Sequence, residues 1–218
     1  MAAGGKREKL SDGMGQVATV LTKSTPAKAL GAILYVLPSG STRTAANMIA
    51  AQSAIETANW KSMHNWNMGN TTPSPAQVKA GISWMNQGLP MQYIAFPDIV
   101  AGSRDMVNWL SRRGALPYAN SGDLAGYMAR LQASCYLGCI GNTDPTGHTV
   151  TAADYSGYQS GIATRMATLA TVTPEMPSWW EILSPFDIAL GTTALAAAAV
   201  GAVAIVKPEW ITDLVRDI

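Results

Sequence analysis

Charge is scarce in this chain. Only 13% of its 218 residues are Asp, Glu, Lys or Arg, against roughly 25% in ordinary soluble domains. The formal net charge is +1, and the basic residues are scattered, so no concentrated basic face points to nucleic acid. Two cysteines are too few for a disulfide framework and the wrong number for a zinc site. Cys135 and Cys139 would share a helical face and cross-link only with distortion there, so free buried thiols are expected. The two histidines, His64 and His148, belong to no metal-ligand motif, so neither a metal nor another cofactor is expected. Phenylalanine occurs twice, Trp and Tyr seven times each, a balance that suits sugar faces and interfaces better than a plain core. No Asp or Glu occurs anywhere between residues 61 and 97.

What is abundant is apolar: 48% of the residues, enough for a full core with surplus for a membrane or an assembly. Residues 1–23 are small, polar and charged and are expected to form a mobile arm, not a secretory signal, because no apolar core directly follows the charged start. A first buried helix is expected over Ala27–Leu37, capped by Ser24 or Thr25 with Pro26 in its first turn. A second should run from Ser41 or Thr42 to Trp60. Residues 61–97, rich in Asn, Thr, Pro, Gly and Trp, read as a small lobe with a short strand near Met91–Phe96. Further helices are expected over Asp98–Leu110, Gly122–Ser134 and Ala152–Thr171, closing a domain spanning 24–172. A hinge at 173–187 holds Pro174, Pro177 and Pro185 around Trp179 and Trp180. The uncharged run 188–206 follows, close to a hydrocarbon thickness of ~30 Å as a helix, and is expected to be a transmembrane helix ahead of a short tail, 207–218. An Ala-rich helix buried in an assembly is the alternative.

The second helix carries the chemistry. On a 3.6-residue period Ala45, Met48, Ile49, Gln52, Ile55 and Glu56 share one face, which puts Glu56 at the margin of the buried stripe. Desolvation and the negative end of the helix both push a carboxyl there upward in pKa, as a proton donor near neutral pH requires. A solvated Glu, or one paired with Lys61, is the ordinary alternative.

The segment AQSAIETANW at 51–60, followed by NWNMGN at 65–70, resembles the glucosaminidase/muramidase branch of the lysozyme-like superfamily. Tyr93–Phe96 leading into the helix with Ser103 and Asp105, Leu131–Tyr136, and Asp154–Tyr158 extend the likeness in order over roughly residues 43–170. The resemblance implies a mainly α, lysozyme-like domain with a small β/loop lobe that cleaves the β-1,4 glycan backbone of peptidoglycan. On that reading Glu56 is the general acid, Tyr136 the aromatic near the reacting sugar, and Asn67, Met68 and Gly69 the turn that shapes the groove. Trp60, Trp66, Tyr93 and Tyr155 are candidate sugar contacts. Two departures stand out: Cys135 replaces a glycine, and a paired-carboxylate hydrolase needs a second acid, for which Asp98 is the nearest in sequence while Asp105 reads as a helix residue. A single Glu suits a lytic transglycosylase, in which the sugar's C6 hydroxyl attacks, slightly better than a hydrolase. The setting expected is a bacteriophage particle that opens the cell wall during genome entry, with peptidoglycan strands, a lipid membrane and other virion proteins as partners. A wall-remodelling enzyme of a secretion system and a non-catalytic virion protein on the same scaffold are the alternatives.

Overall fold

The computed structural model describes residues 15–85, 92–143 and 147–178. The elements, in chain order, are β1 (Leu21–Thr22), α1 (Pro26–Val36), α2 (Arg43–Glu56), β2 (Met63–His64), α3 (Pro75–Lys79), β3 (Trp84–Met85), β4 (Tyr93–Ile94), α4 (Ile99–Arg112), α5 (Leu116–Ser121), α6 (Leu124–Ala133) and α7 (Ala152–Leu169). The protein is mainly helical, with two small antiparallel strand pairs, β1 with β2 and β3 with β4. Among the described residues no helix is long and apolar enough to cross a membrane. The expected span 188–206, most of the hinge and the tail lie outside them.

Local chemistry explains the helix starts. Thr25 accepts from the Lys28 N–H at 3.1 Å, with Pro26 at the first helical position. Thr42 accepts from Ala45 N–H, Asp98 from Ala101 N–H and Asp123 from Gly126 N–H, each satisfying a donor the helix cannot reach. Thr151 and Asp154 form a reciprocal capping box on α7.

The core is built around α2. Every residue from Ala45 to Ala54 is buried, so this helix is enclosed on all sides instead of presenting one stripe. Helices α1, α5 and α7 pack directly on it. Leu30, Ile33, Met48, Ile49, Leu110 and Leu131 are all fully buried, each stabilising the fold by ~1.5–3 kcal/mol. Arg43, at the start of α2, donates to Asn47 at 2.9 Å and to the Val172 carbonyl at 2.6 Å, which ties the end of α7 to the same helix. Tyr127 of α6 donates to the buried Gln52.

Three expectations change. The arm is not free throughout: from Gln16, bridged to Trp84, to Thr22, paired with Met63, it adds an edge to the lobe. Helix α2 ends at Glu56, four residues before Trp60. Ala58, Asn59 and Trp60 take left-handed backbone (φ 49, 57 and 59°), at a cost of ~1–2 kcal/mol per residue. Bonds from Asn59 N–H to Ala54 O and from Trp60 N–H to the Thr57 hydroxyl hold the turn. Residues 173–178 are seated and do not act there as a free hinge: Glu175 N–H bonds Ala27 O at 3.0 Å and its carboxylate meets Lys28.

Helix α4 approaches the 65–69 turn so closely that a Cβ on Gly102 would stand 1.9 Å from the Trp66 carbonyl oxygen. Gly102→Ala is therefore expected to destabilise the fold by ~1–3 kcal/mol or more, read as a lower urea midpoint. An unchanged midpoint would show that the turn yields freely.

Candidate active site

Glu56 is the last residue of α2 and is half-buried. The Tyr158 hydroxyl, arriving from α7, donates to Oε1 at 2.5 Å. Asn70 Nδ2 donates to the Glu56 carbonyl at 2.8 Å and to Oε2 at 3.3 Å. Two remote segments thus hold one carboxyl against a helix end. Burial raises the Glu56 pKa above its ordinary 4.5, while the bonds from Tyr158, Asn70 and Tyr136 act the other way. Desolvation prevails, as the helical pattern anticipates, though the whole circumference of α2 is buried and not one stripe.

Tyr136 lies beside this carboxyl. Its hydroxyl donates to the Gly69 carbonyl at 3.2 Å. Its ring meets Trp109 edge-on with centroids 5.1 Å apart and Tyr158 at 6.1 Å, contacts worth ~0.5–1.5 kcal/mol each. Desolvation first, then the nearby Glu56 charge, pushes its pKa well up, so it remains a neutral donor. The expectation of free thiols is overturned next to it: Cys135 and Cys139 form a disulfide, Cα atoms 4.4 Å apart. Helix α6 ends at Ala133, so the pair does not sit on a helical face. Cys135 adopts φ 54°, backbone that glycine takes at least cost. This accounts for the glycine expected there, and the disulfide closes a small ring around Tyr136.

Of the expected turn, Asn67 and Met68 are structural. Asn67 is 1% exposed; its amide donates to Thr71 O and Ile94 O and its oxygen accepts from Thr71 N–H, all at 2.9 Å. Met68 is fully buried and accepts from the Ser103 hydroxyl. Gly69 lines a groove of about 680 Å³ with Asn70, Thr71, Asp105, Trp109 and Tyr136. Glu56 is one contact behind that wall, against Asn70 and Tyr136.

Other candidates are placed elsewhere. Trp60 is buried, its indole N–H on Ser53 Oγ at 3.1 Å, and cannot serve as a sugar platform. Tyr155 is buried; its hydroxyl donates to Gly138 O and accepts from Leu137 N–H, fixing the loop after the disulfide. Asp98 caps α4 through Ala101 N–H at 2.7 Å, a bond that commits it to the helix start. Trp66 is partly buried against the core. Tyr93 is half-buried on β4, its pKa raised by desolvation and then by the charge of Glu56.

Two residues stand here that the sequence does not place at the site: Asp105 reads there as a helix residue, and Tyr158 enters only within the Asp154–Tyr158 likeness. Tyr158 follows Tyr155 by three positions, one helical turn, and only the packing of α7 on α2 decides which of the two meets Glu56. Asp105, on α4, lines the groove half-buried, with Thr71 Oγ1 donating to Oδ2 at 3.1 Å. Desolvation raises its pKa, opposed by Thr71 and by the Arg112 charge. Its residue type, an acid three residues after Gly102 on an amphipathic helix, is the available signal. Among the described residues no cluster of His, Cys, Asp and Glu could hold a metal ion.

A raised folded pKa makes ionisation of Glu56 oppose folding. Its contribution is fully present below pH 4.5 and is lost as pH rises through the folded value. Urea unfolding across this range should show that loss in the wild type and not in Glu56→Gln; identical pH profiles would refute the burial of this charge.

No protein-family model matches the chain, and no curated protein and no solved structure matches it.

Proposed function

We propose that this protein cleaves the β-1,4 glycan backbone of peptidoglycan, with Glu56 as the general acid that protonates the leaving glycosidic oxygen. The observation that carries the reading is the Glu56 carboxyl itself: desolvated at a helix end, bonded by Tyr158 and Asn70, and backed onto a polar groove. Such a group holds its proton to higher pH than a solvated carboxyl and can release it to a substrate oxygen. Tyr136, a neutral phenol bridging Gly69 and the Glu56 side, is placed to keep the acid's wall of the groove in shape. Three left-handed residues, beginning two positions after Glu56, fit this reading, because strained backbone gathers where a side chain must be aimed.

The lysozyme-like ancestry of the domain and its setting belong to the same proposal and rest on sequence: the ordered motifs from 43 to 170, and the uncharged run 188–206 flanked by Trp180 and Lys207. In that setting the chain is part of a phage particle, anchored in lipid, and acts on the wall during genome entry.

One observation favours a second reading, a non-catalytic scaffold: Asn70 and Tyr136 stand between Glu56 and the groove. The full-length protein and its Glu56→Gln variant, incubated with purified peptidoglycan sacculi, separate the two. The catalytic reading expects soluble glycan fragments that fall ~10²–10⁴-fold in the variant. No fragments from a folded wild type favour the scaffold; equal yields from the two proteins would remove Glu56 as the acid.

A further inference from the structure

The lobe between residues 61 and 97 contains no acid, yet the groove is not without a second carboxylate. Asp105 reaches it from α4. Its neighbours along the helix, Met106 and Val107, are buried in the core, and Arg104 is exposed. Asp105 sits between these environments, half-buried. Thr71 donates to Oδ2, and Oδ1 has no hydrogen-bond partner among the described residues. A carboxylate anchored by one hydrogen bond and lining a polar groove is arranged to accept a proton from water.

Its relation to Glu56 is the telling feature. Asn70 bonds Glu56 and Thr71 bonds Asp105. Consecutive residues, with Cα atoms ~3.8 Å apart, therefore anchor the two carboxyls, one from the end of α2 and one from the middle of α4. Asn67 in turn fixes Thr71 by accepting from its backbone N–H at 2.9 Å. The 67–71 turn thus links the two acids. Paired carboxyls held a sugar and a water apart are what glycoside hydrolysis uses.

Resting on the glycan-cleaving reading above, we propose that Asp105 is the second catalytic carboxylate and that the reaction is hydrolysis, not the intramolecular transfer a single Glu would favour. In this step the water oxygen bonds to the anomeric carbon and its proton passes to Asp105. The bond from that carbon to the glycosidic oxygen breaks, its electron pair remains on the oxygen, and Glu56 supplies that oxygen's proton. The product is a reducing end. Exchange with solvent returns each carboxyl to its starting state.

The test digests peptidoglycan sacculi with the full-length wild type, Glu56→Gln and Asp105→Asn, and reads chain ends by mass spectrometry with and without sodium azide. Asn at 105 keeps the shape and still accepts from Thr71, so a merely structural Asp105 would survive the change. Expected are reducing ends from the wild type and a loss of about 100-fold or more in Asp105→Asn. Azide, a nucleophile that needs no base, should restore cleavage in Asp105→Asn as glycosyl azide and leave Glu56→Gln inactive. Wild-type yields from Asp105→Asn, 1,6-anhydro ends from the wild type, or a loss that azide does not rescue would each overturn the role of Asp105 while leaving Glu56 as the acid. Absence of any product from the wild type would instead remove the glycan-cleaving reading and this inference with it.

Discussion

The fold turns on one desolvated carboxyl. Glu56 ends a helix with ten consecutive buried residues and cannot swing freely to water without losing the Tyr158 hydroxyl and the Asn70 amide. Both partners lie later in the chain, one in the nearby 65–71 turn and one on the closing helix α7. Tyr158 requires α7 to pack along α2, and that packing is secured by Arg43 on the carbonyls of Leu169 and Val172. Asn70 requires the 65–71 turn, which Asn67 cross-braces and which α4 approaches at Gly102. Core, lobe and closing helix all meet at this side chain.

The arrangement separates rigidity from access. Asn67, Met68 and Trp60 are withdrawn into the interior, where their polar atoms are bonded. Buried groups satisfied in this way fix geometry because leaving any one unpaired costs ~1–3 kcal/mol. Gly69, Asn70, Thr71 and Tyr136 are left to face the groove. The disulfide next to Tyr136 belongs to the same logic: it closes the chain around the aromatic residue at a position whose left-handed backbone a glycine would leave loose.

Much of the helical framework was readable from the residues. Thr25 with Pro26, Thr42 and Asp98 mark their helix starts because capping is local chemistry. The end of α2 was not readable, since Ala58, Asn59 and Trp60 are held left-handed by bonds back to Ala54 and Thr57 that no periodicity encodes. Helix α5, six residues behind Gly114, is short and tied to α2 by Asn120 on Thr42, a contact 78 positions apart. At the site, Glu56 and Tyr136 could be named from residue type and order. Tyr158 and Asp105 could not, because tertiary packing alone distinguishes Tyr158 from Tyr155 and brings an α4 side chain to a turn 34 positions earlier. The cysteines pair for a local reason, because the chain has left the helix before Cys135 and helical spacing no longer applies.

The central claim is that Glu56 works as an acid whose proton affinity is set by burial and moderated by Tyr158. The most direct measurement is the pH dependence of kcat/KM on glycan strands for the wild type and Tyr158→Phe. Activity should fall as pH rises through the Glu56 pKa. Removing the hydroxyl removes a bond that favours the charged form, so the account predicts that this limb moves to higher pH in Tyr158→Phe. A limb that stays in place, or moves to lower pH, would contradict it.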